Sequence, residues 1–207
     1  MMRPEGAEVD IEGISDRRPQ QARSRATLDR IIKVATRAIE ESRLDALTIP
    51  DIVRRAECST GAFYGRFKSK SDLMAMLLDR DAETLSESMA GATANAMRAR
   101  DVRGWIESLI TLSLDQALAR HSLLRAHRPL DRLAHRERLV SLCADMLARL
   151  GAAREAQAPL RANFILTMIT GLTRDAVLSG SVTADADSRK IFSSELERAA
   201  VWYLAAG

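Results

Sequence analysis

Residues 47–73 read LTIPDIVRRAECSTGAFYGRFKSKSDL, and this stretch decides the fold of the N-terminal part of the chain. It predicts two short helices separated by a three-residue turn. Thr48 can cap the first helix, Pro50 fits the first turn because its missing N–H needs no partner there, and Asp51 completes a capping-box spacing. Ser59 provides a second N-cap directly after the turn. The stretch therefore predicts a helix-turn-helix.

The second helix of this pair, predicted from Thr60 to Phe67, carries glycines where helices rarely have them. Gly61 and Gly65 lie one turn apart, and each costs about 1 kcal/mol relative to alanine in a helix interior. Phe63 and Phe67 are also one turn apart and predict a buried face, so the glycines would face outward. An outward face without side chains allows the backbone to approach base edges in a major groove.

Two sets of residues around this glycine face are therefore candidate DNA contacts. The set expected to read base edges consists of Thr60, Gly61, Ala62 and Gly65. The set expected to contact phosphates consists of Thr48, Tyr64, Arg66, Lys68 and Lys70. Phosphate contacts position a protein on DNA, whereas base contacts specify the sequence. Each cation alone is better interpreted as an ordinary surface charge, but their arrangement around the glycine face favours DNA.

The charge distribution agrees with a polyanionic partner. Residues 17–70 contain thirteen Lys and Arg against six Asp and Glu, residues 1–16 contain one against five, and the remainder is balanced at seventeen against seventeen. Arg25 ends a basic arm that precedes the first helix and can lie along phosphates or in a minor groove. A local excess of positive charge supplies a salt-dependent attraction to nucleic acid that does not depend on sequence.

The segment from residue 25 to 75 resembles the N-terminal domain of TetR-type repressors at most positions of that pattern. The resemblance implies a homodimeric transcription regulator that binds double-stranded operator DNA and an unknown small-molecule effector. Glu57 departs from the pattern, because it replaces the usual turn glycine; either the local backbone differs from the pattern, or Glu57 adopts a left-handed conformation at some cost. Cys58 stands where a buried valine is common. Ala62 replaces a frequent threonine, so one hydroxyl contact is missing.

The composition predicts an all-α protein of about nine helices, since only 4% of the residues are aromatic and Ala, Leu and Arg are abundant. We expect residues 1–16 to be a disordered acidic tail and residues 17–70 to form the helix-turn-helix domain with its basic arm. Residues 71–207 would form a helical domain for effector binding and dimerisation. A fourth helix, from 71 to about 90, would connect the two domains.

The C-terminal part offers weaker signals. The segment 159–179 is apolar on almost every face, which predicts burial on all sides. Burial between two subunits is the simplest interpretation, and a central helix within one subunit is the alternative. The predicted dimer interface consists of Phe164, Ile165, Met168, Leu172, Phe192, Leu196, Ala199 and Tyr203. The predicted effector pocket consists of Met97, Trp105, Leu109, Cys143, Met146, Phe164 and Met168, although each of them taken alone fits a plain core position better.

Other functional classes find little support in the sequence. The two cysteines, Cys58 and Cys143, lie far apart, which predicts neither a disulfide nor a zinc site and favours a cytoplasmic compartment. His121, His127 and His135 are spaced poorly for a shared metal. No catalytic constellation, cofactor motif or membrane-spanning segment is apparent. The alternatives are a DNA-bound adaptor whose helical domain binds a protein partner, and an all-α enzyme with an incidental helix-turn-helix.

Overall fold

The computed structural model describes residues 17–41, 43–126 and 133–206, and the predicted tail at residues 1–16 lies outside them. The described residues form nine α-helices and a short 3-10 helix, Glu155–Gln157, without any strand. The prediction of an all-α fold is therefore confirmed. The helices are α1 (Arg17–Glu40), α2 (Ile49–Arg55), α3 (Thr60–Tyr64), α4 (Lys70–Ala99), α5 (Val102–Ala119), α6 (His121–Ala126), α7 (Leu133–Arg149), α8 (Ala158–Leu178) and α9 (Ala186–Ala205).

The helix starts follow the capping signals of the sequence. Thr48 and Asp51 form a complete capping box, in which the Asp51 N–H donates to Thr48 Oγ1 and the Thr48 N–H donates to Asp51 Oδ2, both at 3.3 Å. Ser59 Oγ accepts from the Ala62 N–H at 3.0 Å, and Asp101 caps α5 in the same manner. These caps satisfy N–H groups that have no partner inside their own helices.

Three helix boundaries differ from the predicted ones. Helix α1 begins ten residues before Thr27, so the basic arm is helical up to Arg25 and beyond, as the good helix propensity of Arg, Gln and Ala permits. Helix α4 continues through Gly91 to Ala99, because buried residues on both sides of this glycine keep one face packed. Helix α3 ends at Tyr64, because Gly65 is its C-cap and not an interior residue.

The N-terminal core does not stop at the predicted domain boundary after residue 70. Phe63 and Phe67 pack with residues of α1 and with Leu73 and Leu78 of α4. Leu123 of α6 is fully buried in the same core. The first turns of α4 and one residue of α6 therefore belong structurally to the helix-turn-helix unit.

A second core holds the remaining helices together. It is built around Trp105 and Leu109 of α5, Cys143 and Met146 of α7, and Ile165 of α8, all of which are at most 1% exposed. Within the described part of the chain, no helix is long and apolar enough to cross a membrane.

Candidate nucleic-acid interface and effector cavity

The turn between α2 and α3 has a left-handed residue at its centre. Glu57 has a φ of 49°, so of the two alternatives for the missing turn glycine the chain adopts the left-handed one. Arg30 of α1 fixes this turn from outside, since its Nε donates to the Ala56 carbonyl at 2.7 Å and its Nη2 donates to the Glu57 carbonyl at 3.5 Å. Arg30 is not among the residues predicted from the sequence, because no local motif relates it to a turn 26 residues away.

The outward face of α3 is free of large side chains. Gly61 and Gly65 are exposed, whereas Phe63 and Phe67 on the other side are buried, as their spacing predicts. A methyl group on Gly61 would meet nothing nearer than Ser59 Oγ at 3.9 Å, so the folded chain itself has room for a side chain there. At Gly65 the same group would lie 3.2 Å from the Gly61 carbonyl oxygen, which is a tight contact.

The base-edge and phosphate candidates differ in how exposed they are. Thr60 is exposed and Ala62 is half-buried beside the glycine face. Tyr64 is 52% exposed and stands edge-on to Phe63, with ring centroids 5.5 Å apart. Lys68 is exposed, and within the described residues its ammonium group has no hydrogen bond or ion pair.

Two predicted phosphate contacts already have partners inside the domain. Arg66 donates from Nη1 to the Ala62 carbonyl at 2.6 Å and from Nη2 to Ser24 Oγ at 2.6 Å, which connects α3 to α1. Lys70 Nζ donates to the Leu44 carbonyl at 2.7 Å. Both cations hold helices together, so their role as phosphate contacts remains a prediction that must allow for this structural task.

The other two phosphate candidates lie on the surface of the same domain. Arg25 is exposed on α1. Thr48 is exposed, but its hydroxyl donates to Asp51 Oδ2 at 2.6 Å. That hydrogen bond, with further donors from the Thr48 backbone and Arg54, lowers the pKa of Asp51. The carboxylate is thereby kept ionised at the N-terminus of α2, where the helix dipole favours negative charge.

The body of the protein contains a cavity of about 550 Å³ between α4, α5, α6, α7 and α8. Its volume lies within the range of roughly 300–1,000 Å³ that is usual for small-molecule sites. None of the seven residues predicted to line an effector pocket lines this cavity. The cavity is therefore a candidate site distinct from the predicted one.

The predicted pocket residues are mostly core. Trp105, Leu109, Cys143 and Met146 are fully buried and closely packed, and Met97 and Met168 are partly buried against them. Phe164 lies on the surface and stacks on the Tyr203 ring at 4.3 Å between centroids. These residues were predicted to line the pocket because pockets are mostly apolar. A helical pattern, however, does not distinguish a packed face from a face that lines a cavity.

Cys143 shows how closed that core is. Burial raises the pKa of its thiol to about 11, although a contact with Thr93 opposes the shift. The Thr93 hydroxyl also accepts from Trp105 Nε1 at 3.0 Å and lies 3.6 Å from Cys143 Sγ. The thiol is therefore protonated near neutral pH and is a poor nucleophile.

Three arginines that the pocket prediction did not include line the cavity. Arg120 is paired with Asp81 at 2.7 Å. Arg136 donates to Asn163 Oδ1 at 3.0 Å and also contacts the hydroxyl of Thr167. Arg174 is exposed at the cavity. In the sequence, Arg136 ends a row of arginines at positions 128, 132 and 136, which favours a solvated helix face over an anionic effector site.

The predicted dimer helices carry apolar side chains that are uncovered in a single subunit. Leu160 is 70% exposed, and Phe164 and Leu172 are about half exposed on the same helix, α8. On α9, Ile191 and Trp202 are exposed to 65% and 72%. Large apolar side chains exposed in such number on two helices are typical of interaction sites.

The eight predicted interface residues divide between core and surface. Ile165 and Leu196 are buried in the core of their own subunit, so they are not surface contacts. Phe164, Leu172 and Ala199 are exposed, whereas Met168, Phe192 and Tyr203 are half-buried.

For the described residues, no group of His, Cys, Asp or Glu side chains could hold a metal ion. The side chains of His127 and His135 lie outside the described part.

Comparison with known proteins agrees with the helix-turn-helix geometry. Residues 31–77 match the family model described as bacterial regulatory proteins, tetR family. These residues include the second half of α1, all of α2 and α3, and the first turns of α4. Among curated proteins, none matches the sequence significantly.

Two solved structures are similar to most of the chain. A candidate TetR-family transcriptional regulator from Mesorhizobium loti MAFF303099 is 20% identical, with a TM-score of 0.64 over 89% of this chain and 97% of that one. A gamma-butyrolactone receptor, an ArpA-like protein, is 17% identical over 86% of this chain and 98% of that one. Its TM-score of 0.36 is too low to support an argument. The first structure shows the same fold, and the match to the tetR family model covers residues 31–77, which contain the helix-turn-helix.

Proposed function

We propose that the chain is a homodimeric transcription regulator that binds a pseudo-palindromic DNA operator and is released from it by a small molecule. The observation that carries this proposal is the exposed glycine face of α3, in a domain of the tetR family. Two such helices in a dimer would enter successive major grooves about 34–36 Å apart. Repression is proposed rather than activation, on the basis of the family resemblance alone.

The exposed residues of α3 have separate roles in this proposal. Thr60 and the backbone at Gly61 and Gly65 would approach base edges, since the protein places no side chain between them and a partner. Lys68, whose ammonium group is unengaged within the described chain, and Tyr64 would contact phosphates. Arg25 and Thr48 would add contacts at the edges of the interface, and Ala62 would contribute its methyl group.

Arg66 would act mainly by positioning α3, and Lys70 by positioning the start of α4. The hydrogen bond from Arg66 to Ser24 connects α3 to α1, and the one from Lys70 to Leu44 connects α4 to the segment between α1 and α2. A positively charged group that donates to carbonyls still contributes to the local positive potential, which attracts DNA without sequence preference.

The dimer in this proposal uses the uncovered faces of α8 and α9. Leu160, Phe164 and Leu172 on α8, with Ile191 and Trp202 on α9, would be buried against their symmetry mates. A two-fold interface uses the same patch on both subunits, so a self-complementary apolar face suits it. Such a dimer would fix the distance between the two copies of α3.

The cavity is the proposed effector site because one of its walls continues into the DNA-binding unit. Leu78 lines the cavity and packs in the N-terminal core, and Leu124 of α6 does the same. A ligand that favours one position of α4 would therefore shift α3 in the same movement. Since coupling between two binding sites is reciprocal, operator DNA would weaken effector binding by the same factor.

Substitution of Gly61 tests base reading. Gly61→Ala should leave the free protein at least as stable, since the site has room for a methyl group and alanine favours the helix by about 1 kcal/mol. It should weaken binding to the DNA upstream of the protein's own gene at least about tenfold, measured by fluorescence anisotropy. Gly91→Ala is the matched control, because this glycine lies in α4 with open space around it.

Substitution of Lys68 tests phosphate contact. In a dimer, Lys68→Ala should reduce the slope of log affinity against log salt by about one for each subunit. Arg138→Ala, which removes an exposed cation on α7 away from the cavity, should leave the slope unchanged. Wild-type DNA affinity for Gly61→Ala, together with an unchanged slope for Lys68→Ala, would reject this interface.

The adaptor alternative has one observation in its favour, the exposed Trp202 and its neighbours on α9. Sedimentation equilibrium separates the two interpretations. A stable dimer whose association is disrupted by Leu172→Glu supports self-association through this face. A monomer at micromolar concentration would leave the face available to another protein and would favour the adaptor.

A further inference from the structure

The cavity wall formed by α4 is mostly apolar, whereas the wall formed by α8 is polar. Helix α4 contributes Leu78, Ala82, Leu85 and Met89, which recur at helical spacing and form an apolar stripe, with Asp81 and Ser86 beside it. Leu124 and Leu139 extend this apolar side from α6 and α7. A ligand that fills the site therefore has an extended apolar part on the α4 side.

Helix α8 supplies the opposite wall, and it is polar at the same spacing. Asn163, Thr167, Thr170 and Arg174 face the cavity on successive turns, with Gly171 between them. Amide and hydroxyl groups with an arginine at one end can donate several hydrogen bonds to a single acceptor group. The polar part of a ligand would accordingly lie along α8.

Of the three arginines that line the cavity, Arg136 and Arg174 have no acidic partner among the described residues. Arg120 and Asp81 neutralise each other through their ion pair at 2.7 Å. Arg136 is bonded to the neutral side chains of Asn163 and Thr167, and among the described residues no carboxylate forms an ion pair with Arg136 or Arg174. Within the part of the chain that the structure describes, two positive charges therefore face the cavity without a counter-charge.

Neutral partners also hold Arg136 in place. Its Nε and Nη2 both approach Asn163 Oδ1, at 3.2 and 3.0 Å, so the guanidinium is oriented before a ligand arrives. Within the described residues Nη1 has no hydrogen bond, so its two N–H groups can donate to a carboxylate or phosphate oxygen. Such preorganisation reduces the entropic cost of binding.

We propose that the cavity binds an anionic amphiphile, with its apolar chain or ring system against α4 and its acidic head group between Arg136 and Arg174. The inference rests on the proposed function for its regulatory meaning, but the binding itself does not require DNA. A neutral or cationic ligand of the same shape would leave both arginines without a counter-charge in a partly desolvated site. Charge is therefore the main determinant of selectivity.

The test uses the full-length protein and four probes that share one alkyl chain: decanoate, decyl phosphate, decan-1-ol and decylammonium. Isothermal titration calorimetry should show that the better of the two anions binds at least about tenfold more tightly than decanol. Decylammonium should bind more weakly than decanol. The stronger anion identifies whether the head group resembles a carboxylate or a phosphate.

Two variants and a control locate the head group. Arg136→Gln and Arg174→Gln should each reduce the affinity for the anion about tenfold and leave decanol binding unchanged. Arg138→Gln is the matched control on α7, because this exposed arginine does not line the cavity. Since the Arg174 side chain is exposed, its substitution should not disturb the packing of the core.

Equal affinity for decanol and the anions would overturn the proposal, as would undiminished anion binding in the Arg136→Gln and Arg174→Gln double variant. Absence of binding by all four probes at millimolar concentration would also overturn it. Operator binding is measured separately in the same preparation. DNA binding without anion binding contradicts this inference alone, whereas anion binding without DNA binding contradicts the proposed function.

Discussion

Arginines perform opposite tasks in the helix-turn-helix unit and in the body of this protein. Arg30 and Arg66 donate to main-chain carbonyls and hold α1 against the turn and α3. Arg136 and Arg174 instead line a cavity and lack an acidic partner among the described residues. The number of positive charges in a segment therefore does not reveal its function, because the partners of those charges decide it.

The apolar residues of the body separate in a similar way, into a packed core and a cavity wall. Leu109→Ala should lower the free energy of unfolding by about 2–5 kcal/mol, because this side chain is fully buried in α5. Leu85→Ala should cost less than about 1.5 kcal/mol, since Leu85 is half-buried and lines existing empty space. Urea denaturation at one fixed protein concentration measures both, since a dimer's stability depends on concentration.

That pair of variants decides between the two locations of the effector site. Equal losses at both positions would show that Leu85 is packed as tightly as Leu109 and that no cavity exists beside it. A small loss of unfolding free energy for Leu109→Ala, with a large loss for Leu85→Ala, would favour an effector site at the residues that the sequence predicted.

Within the helix-turn-helix unit, the next largest change in stability is expected at Arg66, whose guanidinium is hydrogen-bonded, in contrast to Lys68. Arg66→Ala should lower the free energy of unfolding by about 1.5–3 kcal/mol, because it removes charged hydrogen bonds to Ala62 and Ser24. Lys68→Ala should change it by less than about 0.5 kcal/mol. Thermal and urea unfolding followed by circular dichroism test both. A loss at Lys68 that equals the loss at Arg66 would contradict the division of roles.

A smaller effect is expected at the turn itself. Glu57→Gly should raise the free energy of unfolding by about 1 kcal/mol, because glycine adopts the left-handed conformation without the penalty of a Cβ. The carbonyl that accepts from Arg30 is retained in this variant. Arg100→Gly is a matched comparison, since Arg100 has a φ of 55° at the end of α4 and should gain a similar amount. Destabilisation by Glu57→Gly would mean that the side chain contributes more than the strain costs.

Local signals explain why the sequence predicted the N-terminal unit in such detail. Thr48, Ser59 and the Phe63–Phe67 pair act within four residues of their partners, so spacing alone indicates their roles. At Glu57 the missing glycine indicates a left-handed backbone as one of two alternatives. The structural roles of Arg30 and Arg66 could not be predicted, because their partners are 26 and 42 residues away.

The cavity could not be predicted for a different physical reason. Its walls are apolar on α4 and polar on α8, and each stripe alone has the pattern of an ordinary amphipathic helix. Only the packing of several helices makes the polar stripe of α8 face inward at this point. The predicted residues Trp105 and Leu109 were apolar enough for a pocket, but they are used to fill the core.

The smallest expected effect concerns the capping box and its dependence on pH. The hydrogen bond from the Thr48 hydroxyl holds the pKa of Asp51 below its ordinary value of 3.8, so the carboxylate stabilises the folded state above that pH. The stabilisation is lost as the pH falls through the lower pKa of the folded protein. The difference in free energy of unfolding between wild type and Asp51→Asn should therefore be constant near neutrality and shrink below about pH 4. Thr48→Val removes the main cause of the shift, and in that background the difference should be smaller at neutral pH and less dependent on pH. A difference that persists unchanged down to pH 3 would mean that Asp51 stabilises α2 without its charge.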